Sequence, residues 1–109
     1  MNLMEELERK LRILDASVKE LSKTGRKYAS AYTNYRVALA KELVKLKDGG
    51  MPVTIAYDVA RGNPEIARLK FEEIAKEAVY LANKECINAI KLQIKIIQEQ
   101  INKEYSSEV

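Results

Sequence analysis

The chain has 109 residues, with 19 Lys and Arg against 16 Asp and Glu for a formal charge of +3. Hydrophobic residues make up 47% and charged residues 32%, which excludes a disordered chain; two prolines, four glycines and no tryptophan argue against a sheet built on many turns. No histidine and a single cysteine, Cys86, exclude histidine-based triads, zinc sites with nitrogen or sulfur ligands and intrachain disulfides.

The first predicted element is a helix over about 2–47. Its apolar register runs Met4, Leu7, Leu11, Leu14, Val18, Leu21, Gly25, Tyr28, Tyr32, Tyr35 and Leu39, alternating steps of three and four as a coiled-coil seam does. Glu5, Glu6 and Glu8 suit the positive end of its dipole and Lys45 and Lys47 the negative end. Glu5/Arg9 and Glu8/Arg12 are spaced for ion pairs, each adding about 0.2–0.5 kcal/mol, so the seam must supply most of the stability. Gly25 at a seam position leaves two readings open: close approach of another backbone, or a break at Lys23-Thr24-Gly25.

Asp48-Gly49-Gly50 followed by Pro52 predicts a helix stop and a turn over 48–54. Thr54 is placed to cap a short helix over about 55–61 that Gly62 ends, and Asn63-Pro64-Glu65 has the order that opens a helix.

The last helix is predicted over about 64–104. One apolar stripe passes through Ala67, Phe71, Ile74, Ala78, Ala82, Ala89, Leu92 and Ile96, a second through Val79, Cys86, Ile90, Ile94, Ile97 and Ile101. Together they form an arc wider than one partner helix covers, and Cys86 reads as a buried, inert thiol. The predicted fold is therefore all-α: a single domain over 1–109, a long antiparallel, coiled-coil-like helical hairpin with a short helix at the bend, self-associating into a bundle. Leu7, Leu11, Leu14, Ile90, Ile94, Ile97 and Ile101 are the expected self-association residues.

Charge and aromatics concentrate at Lys19, Lys23, Arg26, Lys27, Tyr28, Tyr32 and Arg36, a candidate surface for an anionic ligand or nucleic acid. The competing reading places Tyr28, Tyr32 and Tyr35 in the seam and the lysines on a solvated face. Tyr57, Asp58 and Arg61 form a polar cluster at the bend and a candidate contact site. The glycine elements lack the spacing of phosphate-binding loops, and Glu73, Glu77 and Glu99 read as surface charge, so no metal or cofactor is expected. The acidic N-terminus is not a secretory signal and no apolar run approaches ~18 residues, giving an expected cytoplasmic location away from membranes.

The layout of a long charged helix, a Gly50-x-x-Val53-Thr54 turn, a short helix, Asn63-Pro64-Glu65 and a second long helix resembles small helical-hairpin proteins of phages and prophages. The resemblance implies an accessory viral protein of the host cytoplasm that acts by binding. The expected function is a non-enzymatic, oligomeric binding protein engaging a host or phage protein, or nucleic acid, in phage DNA metabolism. Two alternatives are an anti-defence protein that blocks an immune effector or sequesters a signalling nucleotide, and a structural spacer.

Overall fold

The computed structural model describes residues 2–108, and among these three helices follow one another with no strand: α1 (Leu3–Asp48), α2 (Val53–Gly62) and α3 (Pro64–Glu108). The fold is an all-α helical hairpin with the short α2 at the bend.

Asn2 starts α1 by accepting a hydrogen bond on its side-chain oxygen from the Glu5 backbone N–H at 2.8 Å, while its amide donates to the Glu5 carboxylate at 3.2 Å. This commits Glu5 to the cap, so Arg9 pairs with Glu6 at 2.8 Å instead of with Glu5, and Glu8 and Arg12 make no ion pair among the described residues. α1 runs unbroken through Gly25, so the helix does not break at Lys23-Thr24-Gly25. The helix ends where Met51 N–H donates to Leu46 O (3.0 Å) and Gly50 N–H to Lys47 O (2.9 Å), the paired bonds of a Schellman motif, with Gly50 at φ +90°. Met51 and Leu46 then pack against one apolar cluster, the side-chain contact that accompanies this stop.

α2 begins one residue ahead of Thr54, at Val53, with no side-chain cap; Pro52 O accepts from the backbone N–H groups of Ile55 and Ala56 at 3.2 and 3.1 Å. Pro52 fixes φ at −58° and stands in place of the expected threonine cap. Asn63 closes α2 and opens α3: its N–H donates to Ala60 O at 3.1 Å, and its side-chain oxygen accepts from Glu65 N–H at 2.9 Å.

The described residues group into two compact units. In the unit formed by Thr24–Val79, α1 contributes Tyr35, Leu39 and Leu43, α2 contributes Ala56 and Ala60, and α3 contributes Ile66 to one core. Ala56 and Ala60 are fully buried and lie one turn apart, so small side chains bring α2 in closely while its larger apolar residues, Val53, Ile55, Tyr57 and Val59, stay exposed. In the other unit, α3 buries Ile87, Ile90, Ile94 and Ile97, with Leu3, Leu7 and Leu14 of α1 half-buried, and Asn83 donates its side-chain amide to Ser17 O at 3.2 Å.

The buried line of α3 keeps Ile90, Ile94, Ile97 and Ile101 of the second apolar stripe and departs from both stripes before Ile87. It passes through Ile66, Leu69, Glu73, Lys76, Tyr80, Asn83, Ile87, Ile90, Ile94, Ile97 and Ile101, all buried or half-buried in steps of three and four. Its middle is polar, which is why apolar residues alone point elsewhere. The stripe of Ala67, Phe71, Ile74, Ala78, Ala82, Ala89, Leu92 and Ile96 is exposed throughout, and Val79 and Cys86 of the second stripe are exposed as well. Cys86 is therefore not a core thiol: one residue before Ile87, it is turned about 100° away from the buried line.

Candidate functional site

α1 distributes the basic and aromatic residues singled out in the sequence over different surfaces. Lys19 and Lys23, in the unit with Ile87–Ile97, are exposed and sit 3.0 Å from Asp15 and 3.8 Å from Glu20. Arg26, Lys27, Tyr28, Tyr32 and Arg36 belong to the other unit. There Lys27 lines a groove of about 450 Å³ with Ser30 and Asn34 of α1 and Arg68, Glu72 and Lys76 of α3. Tyr28 and Tyr32 line a separate shallow hollow of about 300 Å³ whose walls come from α1 alone. Neighbouring helical residues point about 100° apart, so lysine and tyrosines that are contiguous in sequence do not share a cavity.

Tyr28 continues the seam and is half-buried, and its hydroxyl donates to the Glu77 carboxylate. That bond, with burial and the negative charges of Glu77 and Glu73, pushes the Tyr28 hydroxyl up to about 12, so it stays protonated at neutral pH. Glu73 is buried rather than on the surface, because it falls on the same line as Ile66 and Leu69; it accepts from Lys70 Nζ at 3.0 Å. The Lys70 ammonium also lies 4.8 Å from the centroid of the buried Tyr35 ring. The sequence pattern does not mark Glu73, Glu77 or Lys70 as site residues. The signal for Glu73 is positional: counting back from Ile87 in steps of four and three reaches 83, 80, 76 and 73.

At the bend, Tyr57, Asp58 and Arg61 are all exposed, and the Arg61 guanidinium sits 5.4 Å from the Tyr57 ring centroid, one helical turn away. Asp58 makes no ion pair among the described residues. Arg61 also walls a cavity of about 330 Å³ together with Tyr35 of α1 and Ile66, Ala67 and Lys70 of α3. Near the opening of α3, Arg68 binds Glu65 through two nitrogens at 2.7 and 3.2 Å, which holds the Glu65 carboxyl below its usual range and raises the guanidinium.

Of the expected self-association residues, Ile90, Ile94 and Ile97 are buried within the single chain and Leu7, Leu14 and Ile101 are half-buried, which leaves Leu11 on the open surface. Their side chains are taken up by the pairing of α1 with α3. The open apolar surface of that unit is instead Met4 (54% exposed), Leu11 (46%) and Val18 (48%), seven residues apart along α1, with Leu81, Leu92 and Ile96 on α3.

Among the described residues no group of three or more Cys, Asp or Glu side chains is placed to hold a metal ion, and no helix is long and apolar enough to cross a membrane. No protein family, curated protein or solved structure matches this chain.

Proposed function

We propose that this chain is a non-catalytic binding protein that assembles with copies of itself into a helical bundle and engages a protein partner. The observation that carries this reading is the row Met4, Leu11 and Val18: a heptad repeat of apolar side chains on α1 that the pairing with α3 leaves about half exposed. A heptad-spaced row is the geometry one helix presents to another. A half-exposed Leu or Val stands to gain on the order of 1 kcal/mol when a second helix covers it. The likeness in layout to phage and prophage hairpins supports a role in phage DNA metabolism.

A protein partner is favoured over nucleic acid by the state of the cations. Lys19, Lys23 and Arg68 each lie within 4 Å of a carboxylate on their own helix, which lowers the net charge available to phosphates. The double variant Leu11→Glu/Val18→Glu tests the reading by light scattering coupled to size exclusion. Its helical content is expected to match the parent while its mass falls to that of one chain. An unchanged mass would contradict the assignment of this row. Binding of duplex DNA is expected to be weak and to vanish with added salt; tight binding that persists would shift the partner to nucleic acid.

A further inference from the structure

We infer that the cavity where α1, α2 and α3 converge is a binding site for a small organic molecule carrying one oxyanion, a carboxylate or a phosphate, on an apolar body. Five residues from the three helices form its walls: Tyr35, Arg61, Ile66, Ala67 and Lys70. All belong to one unit of a single protomer, so the site stands independently of self-association. At about 330 Å³ it falls within the size range of small-molecule pockets.

The polar wall consists of donors. Arg61 makes no ion pair among the described residues; its guanidinium rests on the Tyr57 ring and keeps its planar set of N–H groups for an oxyanion. Lys70 spends one contact on Glu73 at 3.0 Å and has two further N–H donors. Tyr35 is 7% exposed, and its hydroxyl makes no hydrogen bond to another described residue. Because no buried side-chain oxygen or nitrogen among the described residues lacks a partner, that hydroxyl oxygen keeps some contact with solvent.

No carboxylate lines this cavity, unlike the groove at Lys27, where Glu72 contributes to the wall and Arg68 is already bound to Glu65. With Glu73 paired to Lys70 at 3.0 Å, two cations and one carboxylate leave a net charge of one, which balances a carboxylate fully, a phosphate monoester in part and a polyphosphate chain least. Ile66, Ala67 and Tyr35 supply the apolar surface for the body of the ligand.

Phenyl phosphate and benzoate present the two oxyanions on one apolar body, and benzyl alcohol is the uncharged control. Each is titrated to about 10 mM into the full-length ¹⁵N-labelled protein, in the millimolar regime where weak small ligands bind. Saturable shifts of the Ala67 and Lys70 amides with either anion support the site, and the tighter anion identifies the head group. Arg61→Gln is expected to weaken binding about tenfold to a hundredfold, the cost of a charge-assisted hydrogen bond, and Tyr35→Phe about threefold to tenfold. Arg61 is exposed and Phe keeps the Tyr35 ring, so both variants should fold, and melting curves check this. Absence of saturable shifts, equal binding of benzyl alcohol, or undiminished binding by a folded Arg61→Gln variant would overturn the inference.

Discussion

The Tyr28 hydroxyl on α1 donates a hydrogen bond to the Glu77 carboxylate on α3, joining two residues 49 positions apart within one unit. The bond needs the phenol protonated, and its pKa of about 12 lies above the ordinary value of 10.0. A group whose folded pKa is raised contributes stability that is complete below its unfolded pKa and is lost as pH climbs through the folded value. The Tyr28 contribution is therefore expected to be intact up to about pH 10 and to decay towards pH 12. Melting curves of the parent and of Tyr28→Phe across this range check it: the parent should lose more stability than the variant between pH 10 and 12. Parallel pH profiles would contradict the role given to this bond.

Asn63 holds the junction between α2 and α3 through its side-chain oxygen, and removing that cap by Asn63→Ala is expected to cost about 1 kcal/mol. Urea denaturation at a fixed protein concentration reads the change. A shift in midpoint at constant slope would show that stability rather than unfolding cooperativity has changed.

Two glycines near the bend should respond differently to alanine. Gly50 adopts φ +90°, so Gly50→Ala places a Cβ in a backbone region that L-residues avoid, at a cost of about 1–2 kcal/mol. Gly62 ends α2 with open space around an added Cβ, and Gly62→Ala is expected to be neutral or stabilising by up to about 1 kcal/mol. Equal effects of the two substitutions in denaturation would refute the assignment of the α1 stop to Gly50.

The two faces of α3 are separable by truncation. Ile94 is buried, and Ile94→Ala is expected to destabilise by about 2–5 kcal/mol. Leu92 is 59% exposed, and Leu92→Ala should change the stability of the single chain by less than about 0.5 kcal/mol while weakening the proposed assembly. Denaturation well below the assembly concentration isolates the first effect, and the concentration dependence of the midpoint isolates the second.

The helices and their stops were readable because each has a local chemical cause: the Asn63-Pro64-Glu65 opening, the Gly49-Gly50 stop and the sustained spacing of apolar residues. The face of α3 that pairs with α1 was readable only from Ile90 onward. Its line passes through Glu73, Lys76, Tyr80 and Asn83, and an apolar count skips such positions although Glu73 is buried with Lys70 as its partner. Lys27 and Tyr28 illustrate the same limit for the site. Adjacent in sequence and suggestive as a pair, they line separate cavities because a helix rotates between them. Arg61 was visible as a bend residue, but its convergence with Tyr35 and Lys70 depends on how three helices meet, and no local pattern encodes that.

In the proposed assembly a second copy of the chain covers the heptad row Met4, Leu11 and Val18. Sedimentation equilibrium of the full-length protein over about 1–100 µM, the range where associations worth about 6–8 kcal/mol are half complete, tests it most directly. A mass that rises with concentration to a whole multiple of 12.4 kDa is predicted. A single ideal species at the mass of one chain across the whole range, still fully helical, would contradict it.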